Sequence, residues 1–158
     1  MLNTSHFTLQ GTSLPHRACV SLCGSLGSSL ACITSPAENA MAQQVLNLSA
    51  TARTTGAWIG AYQWPVTEGP AEGWGMCSTG ETCIAPIWDV GQPDDAVAKG
   101  SYYGRGEAWE HCALLSANGL WSDAHCNSGR MCLCETGPVP TVLSAAYLTV
   151  ADRLHAPP

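Results

Sequence analysis

Charge is scarce in this chain. Asp, Glu, Lys and Arg make up 11% of 158 residues, with six basic residues against twelve acidic ones and a formal net charge of −6. So few cations leave no basic patch to neutralise a phosphate backbone, which excludes nucleic acid as a partner class. Long apolar runs are missing too. No stretch approaches the roughly 20 residues a bilayer crossing needs, so no membrane span is expected. Met1 to Gln10 has neither a basic start nor an apolar run, and no secretory leader is visible. No CxxC pair occurs, which counts against a structural zinc site. No Ser/His/Asp or Cys/His set converges along the chain, and no enzyme is expected. His6, His16, His125 and His155 are scattered and receive no role.

What the chain does have is hydrophobic content of 46% and nine cysteines: Cys19, Cys23, Cys32, Cys77, Cys83, Cys112, Cys126, Cys132 and Cys134. Such density in a weakly charged chain points to disulfides and an oxidising compartment. Secretion, or the outer face of a membrane protein, then implies that this sequence is a piece of a longer one. An odd count leaves at least one thiol free or paired with another chain. Cys77 and Cys83 are near neighbours and are expected to close a small loop. Asn3-Thr4-Ser5 and Asn47-Leu48-Ser49 match the glycosylation sequon, a frequent chance pattern.

Phe7 and Leu9 alternate with polar residues, as in a first strand from His6. Thr12 or Ser13 is placed to cap a helix with Pro15 in its first turn, with Ala18, Leu22 and Leu26 as its apolar stripe and Gly27 at its end. Leu30 to Ile33 reads as a short buried strand. Ser35-Pro36-Ala37-Glu38 is a capping box opening a helix to Leu48, with Ala40, Met41, Val45 and Leu48 on one side. Thr51 to Gly56 looks like a turn, and Trp58 to Tyr62 like a strand. Between Gln63 and Glu110, Gly, Pro and Trp dominate. Roughly 45 residues without periodicity are unusual inside a domain, but Trp64, Trp74, Trp88 and Trp109 argue for an organised loop. Cys112 to Leu115 and Leu120 to Asp123 flank Asn118-Gly119, a hairpin signal, and Arg130 to Glu135 follows as a last strand. The total is an α+β fold over 6–135, with 136–158 as a tail or linker in which Leu143 to Leu154 has the pattern of a weak helix.

In order and spacing these pieces resemble the C-type lectin-like domain. The matching residues are Ala18, Cys23, Leu30-Ala31, Ile33 and Ser35 with Glu38-Asn39; then Trp58-Ile59-Gly60; then Gly91-Gln92-Pro93-Asp94-Asp95; then Glu110, Cys112, Gly119, Trp121-Ser122-Asp123, Cys126 and Cys134-Glu135. The resemblance implies two helices flanking small antiparallel sheets, with a long structured loop and several disulfides. It implies Cys23–Cys134 and Cys112–Cys126 pairs, and core positions for Trp58, Trp88 and Trp121. Beside the first pair, helix positions i and i+4 lie about 6 Å apart and strand positions i and i+2 about 6.6 Å apart. Cys19–Cys132 then forms a second rung, leaving Cys32 as the odd thiol; Cys32–Cys132 is the alternative.

The resemblance also implies a calcium site in which Gln92, Asp94, Glu110 and Asp123 offer hard oxygen ligands, with Pro93 able to hold a cis bond between the first two. Sugar hydroxyls would fill the ion's remaining positions. Ser122 departs from the family, which usually has Asn there, and His111 stands where many members carry a second acid for an auxiliary calcium. Glu107 and Glu110 could be read as paired hydrolytic carboxylates, but Glu110 is already assigned to the ion. Gln-Pro-Asp implies galactose or N-acetylgalactosamine. The Trp that often follows that motif is absent, leaving Trp109, Tyr102 and Tyr103 to stack on the sugar. The expected function is calcium-dependent binding of a glycan or glycoprotein, with Gln92, Asp94, Glu110, Ser122, Asp123 and Trp109 in the sugar site. The alternative is a domain of the same fold that recognises a protein surface without sugar. Oligomerisation is not legible.

Overall fold

A computed structural model describes residues 6–64, 69–96 and 110–137. The chain runs β1 (His6–Leu14), α1 (His16–Ser25), β2 (Ser29–Leu30), α2 (Pro36–Asn47), α3 (Ala50–Thr55), β3 (Ala57–Tyr62), β4 (Met76–Cys77), β5 (Cys112–Leu115), β6 (Trp121–Ala124) and β7 (Arg130–Thr136). The strands form one connected sheet in the order β1-β7-β3-β5-β6, with β2 paired to β7 and β4 to β3. Pairings are antiparallel except β3 with β7, which run parallel. The two ends of the domain therefore meet: His6 pairs with Thr136.

Both faces of the sheet centre are covered, so its strands read as continuous apolar runs rather than as alternation. On β7, Met131 and Leu133 join the cluster under α2, with Ala42, Leu46, Ile59, Leu115 and Trp121. Cys132 and Cys134 face the other way, into the cluster of Cys19, Cys23, Trp58 and Tyr62. The helices meet the sheet through faces that their aliphatic stripes do not foretell. In α1 the buried residues are His16, Cys19, Val20 and Cys23; Ala18 and Leu22 are half-buried and Leu26 is exposed. Two disulfides turn the cysteine face inward. In α2 the buried residues are Asn39, Ala42 and Leu46, while Ala40 and Leu48 are exposed.

The helix starts also differ from expectation. β1 continues through Thr12 and Ser13, Pro15 stands directly before α1, and no side chain caps it. Ser35 does cap α2, accepting from Glu38 N–H at 3.2 Å. The Glu38 carboxylate accepts from Thr34 N–H and from the Thr34 hydroxyl, at 2.7 and 2.6 Å. Residues read as a turn after α2 form α3, capped by Ser49 accepting from Ala52 N–H. Of the strand expected at Leu30 to Ile33, only Ser29–Leu30 is formed.

Disulfides join Cys19 to Cys132, Cys23 to Cys134, Cys112 to Cys126 and Cys32 to Cys77. The two α1–β7 rungs have Cα separations of 5.3 and 5.4 Å, as the i+4 and i+2 spacings require. The Cys77–Cys83 expectation is wrong, and so is a free Cys32. Backbone bonds from Gly60 N to Ala31 O and from Ser78 N to Gly60 O lay these three segments side by side and bring Cys77 to Cys32. The turn between Cys77 and Cys83 is closed by main chain instead, through Cys77 N to Glu81 O and Gly80 N to Cys77 O. Cys83 is the free, buried thiol, and its burial pushes its pKa up.

Candidate metal centre

The long loop is anchored by main chain and indole rings. Trp121 N donates to Ile87 O at 2.7 Å and Asp89 N to Trp121 O at 2.8 Å, so β6 gains a short parallel partner. Trp88 stands edge-on to Trp121 and to Trp74, with centroids 6.5 and 5.1 Å apart. Trp121 is fixed from below: its indole N–H donates to the Asn39 carbonyl oxygen, and the Asn39 amide donates to Gly119 O, each at 2.8 Å. One buried asparagine thus ties α2 to the β5–β6 turn and to the strand that carries Asp123. His16, assigned no role from sequence, is a core residue whose Nε2 lies 2.9 Å from Ile59 O and whose ring meets Trp58 edge-on.

From Asp89 the chain turns, with Gln92 N on Asp89 O, and passes through a cis Gln92-Pro93 bond. The next two amides land on one carboxylate: Asp94 N and Asp95 N donate to the Asp123 oxygens at 3.1 and 2.8 Å. Across the site, Ala96 N donates to Glu110 Oε2 at 3.2 Å and Glu110 N to Asp95 Oδ1 at 3.1 Å. Asp94, Glu110 and Asp123 consequently offer carboxylate oxygens all within 4.8 Å of one another. They come from three places, the post-proline loop, the segment before β5, and β6.

Three carboxylates in that volume resist ionising together. Burial, then a side-chain hydrogen bond to Asp94 and the charge of Asp123, push the Glu110 pKa up to about 8. Burial likewise raises Asp95 to about 6 and raises Asp123 despite the amides that donate to it. The Gln92 Oε1 atom is buried with no hydrogen-bond partner, an expensive arrangement for an amide oxygen. Clustered acids and an orphaned carbonyl oxygen fit a hard divalent cation, which supplies the positive charge and the contact they lack.

Asp94, Glu110 and Asp123 are therefore brought together, with Gln92 two residues from Asp94. Ser122 is half-buried beside Asp123 on β6, opposite Leu114. Trp109, Tyr102, Tyr103 and Glu107 lie outside the described residues. His111 is buried, its Nδ1 2.8 Å from Gln63 Oε1 and 4.0 Å from Asp95 Oδ1. Asp95 belongs to the motif but is not among the expected ligands. Its positive φ of 48° and its acceptance of Glu110 N give it a bracing role, and the doubled Asp after proline was the available signal.

The fold and this acid cluster together define a lectin-type domain. The family model for the lectin C-type domain matches residues 12–136, and the chain belongs to that family. Among solved structures, the mouse scavenger receptor C-type lectin carbohydrate-recognition domain is similar at 23% identity and a TM-score of 0.64, over 87% of this chain and 93% of that one. Human lithostathine is similar at 16% identity and 0.65, over 87% and 95%. A calcium-independent type II antifreeze protein is similar at 18% identity and 0.62, over 87% and 89%. These likenesses speak to the fold. The disulfides and the family fit an extracellular location, and among the described residues no helix is long and apolar enough to cross a membrane.

Proposed function

We propose that this domain binds calcium through Gln92, Asp94, Glu110 and Asp123 and uses that site to hold a galactose-type glycan. The observation that carries the reading is the set of three carboxylates within 4.8 Å, supported by the buried, unpartnered Gln92 oxygen. Bound calcium would offer open positions to vicinal sugar hydroxyls. The chain's own residues do the selecting: Gln92 and Asp94 flank Pro93 in the order associated with galactose and N-acetylgalactosamine. Ser122 lines the site with a hydroxyl where an amide is usual, and Trp109 supplies an apolar face. The working domain spans 6–135, and secretion is the context in which its disulfides and a glycan partner make sense.

One observation favours a second reading, a protein-binding surface that does without sugar. Val90 is 97% exposed and Ile87 39% exposed, and both lie on the loop leading into the site. Such apolar groups suit a protein partner. Calcium titration by calorimetry, followed by retention on galactose-bearing resin with and without chelator, tests the first reading. Calcium heat and chelator-released retention support it. No calcium heat, or retention that ignores chelator, overturns it.

A further inference from the structure

The sequon Asn47-Leu48-Ser49 lies where α2 gives way to α3. Asn47 is the last residue of α2, and Leu48 and Ser49 make the short link to α3. Asn47 is exposed, and so are Gln44, Leu48, Ala50 and Thr51 around it. Its amide nitrogen donates to Gln43 O and to Ala117 O, each at 2.9 Å and each at the surface. A bulky group on that nitrogen meets solvent rather than core. An N-substituted amide keeps one N–H, so one of the two bonds to main chain survives attachment.

The surroundings give the position a second, independent mark. No residue from Asn39 to Ala52 is charged, although Ala40, Gln44, Asn47, Leu48, Ala50 and Thr51 are all exposed. The outer faces of surface helices ordinarily carry charges that hold water. Here a leucine occupies such a place: Leu48, directly after Asn47, is 88% exposed. A neutral face with an open leucine is short of hydration. A glycan supplies hydroxyls where charges are missing.

We propose that Asn47 carries an N-linked oligosaccharide, which hydrates the neutral outer face of α2 and α3. The donor class is a lipid-diphosphate-linked oligosaccharide, met during export in the compartment that also forms the disulfides. Asn47 Nδ2 bonds to the anomeric carbon of the first sugar as that carbon's C–O bond to the diphosphate breaks. The diphosphate leaves with the electron pair, and the proton given up by Nδ2 balances it. Ser49 completes the recognised triplet; once folded, its hydroxyl caps α3 by accepting from Ala52 N–H at 3.2 Å. None of these residues belongs to the acid site.

The full chain, secreted behind a cleavable leader from cultured animal cells, tests this. The wild type should migrate faster on a denaturing gel after peptide-N-glycosidase. The same enzyme should convert Asn47 to Asp in the tryptic peptide 18–53. Ser49→Thr should keep the glycan. Ser49→Asp should lose it, because Asp preserves the α3 cap and leaves Asn47 in place but breaks the sequon. Glycoprotein trimmed enzymatically to its first sugar gains no charge and keeps the Asn47 linkage, and it should precipitate at lower ammonium sulfate than the untrimmed form. An unmodified Asn47 in most secreted wild-type molecules overturns the proposal, whether or not Asn3 is modified and whether or not the variants fold. A glycan that stays on Asn47 in Ser49→Asp also overturns it, and equal solubility of trimmed and untrimmed protein overturns the hydrating role.

Discussion

Calcium binding at the acid cluster should release about one proton per ion at neutral pH, and its affinity should climb with pH. The raised pKa of Glu110, about 8, means that without an ion the group is protonated in roughly nine molecules of ten at pH 7. Asp95, at about 6, adds roughly a tenth of a proton if the ion also favours its charged form. A cation between these oxygens needs them ionised, so the proton must leave. Apparent affinity should rise about ninefold from pH 6 to 7 and about fivefold from 7 to 8, and flatten above 9. Calorimetry in buffers of different ionisation enthalpy counts the protons directly. Heats that do not depend on the buffer, or an affinity flat between pH 6 and 8, would refute the picture of crowded carboxylates.

The same shift has a stability consequence of opposite sign. An acid whose pKa is higher folded than unfolded holds its proton more tightly in the native state, so native stability falls as pH rises between the two values. For Glu110 that window runs from about 4.5 to about 8. The calcium-free domain should therefore melt at lower temperature at pH 8 than at pH 5, calcium should reverse the difference, and Glu110→Gln should remove most of it while weakening the ion. A calcium-free domain whose melting temperature rises steadily from pH 5 to 8 would contradict this.

Removing the Cys19–Cys132 rung while Cys23–Cys134 remains should cost only about 2 kcal/mol, because the effective loop it closes is a handful of residues; removing both should cost about 7 kcal/mol. Urea unfolding of the two variants measures the contrast, and equal costs would sink it. Asn39→Ala strands the Trp121 indole N–H and the Gly119 carbonyl and should lower stability by about 2–5 kcal/mol; a loss under 1 kcal/mol would show that water replaces it. Gly60→Ala would place a Cβ 2.9 Å from Leu30 O and 3.2 Å from Ala31 O, and should cost about 1–3 kcal/mol as the β3 contact opens. Near-wild-type urea stability would mean that the β2–β3 approach is soft.

The sequence was most legible where one residue type answers one local demand. Asn118-Gly119 did mark the β5–β6 turn, with Gly119 at φ 82°, and Ser35 did cap α2. The Cys19–Cys132 rung followed from two repeat lengths once the resemblance had implied Cys23–Cys134 beside it. It was least legible where main-chain hydrogen bonds decide, because these carry no side-chain signature. No pattern announces that Ile87 and Asp89 will pair with Trp121, yet that pairing aims Asp94 and Asp95 at the Asp123 carboxylate. Cys77 went to Cys32 for the same reason, since nearness in sequence is a poor guide once Gly60 and Ser78 have aligned three segments. On α2 the apolar side of Ala40, Met41, Val45 and Leu48 is not the buried one; Asn39, Ala42 and Leu46 are, because Asn39 is held by its hydrogen bonds to Trp121 and Gly119, a demand that hydrophobicity does not register.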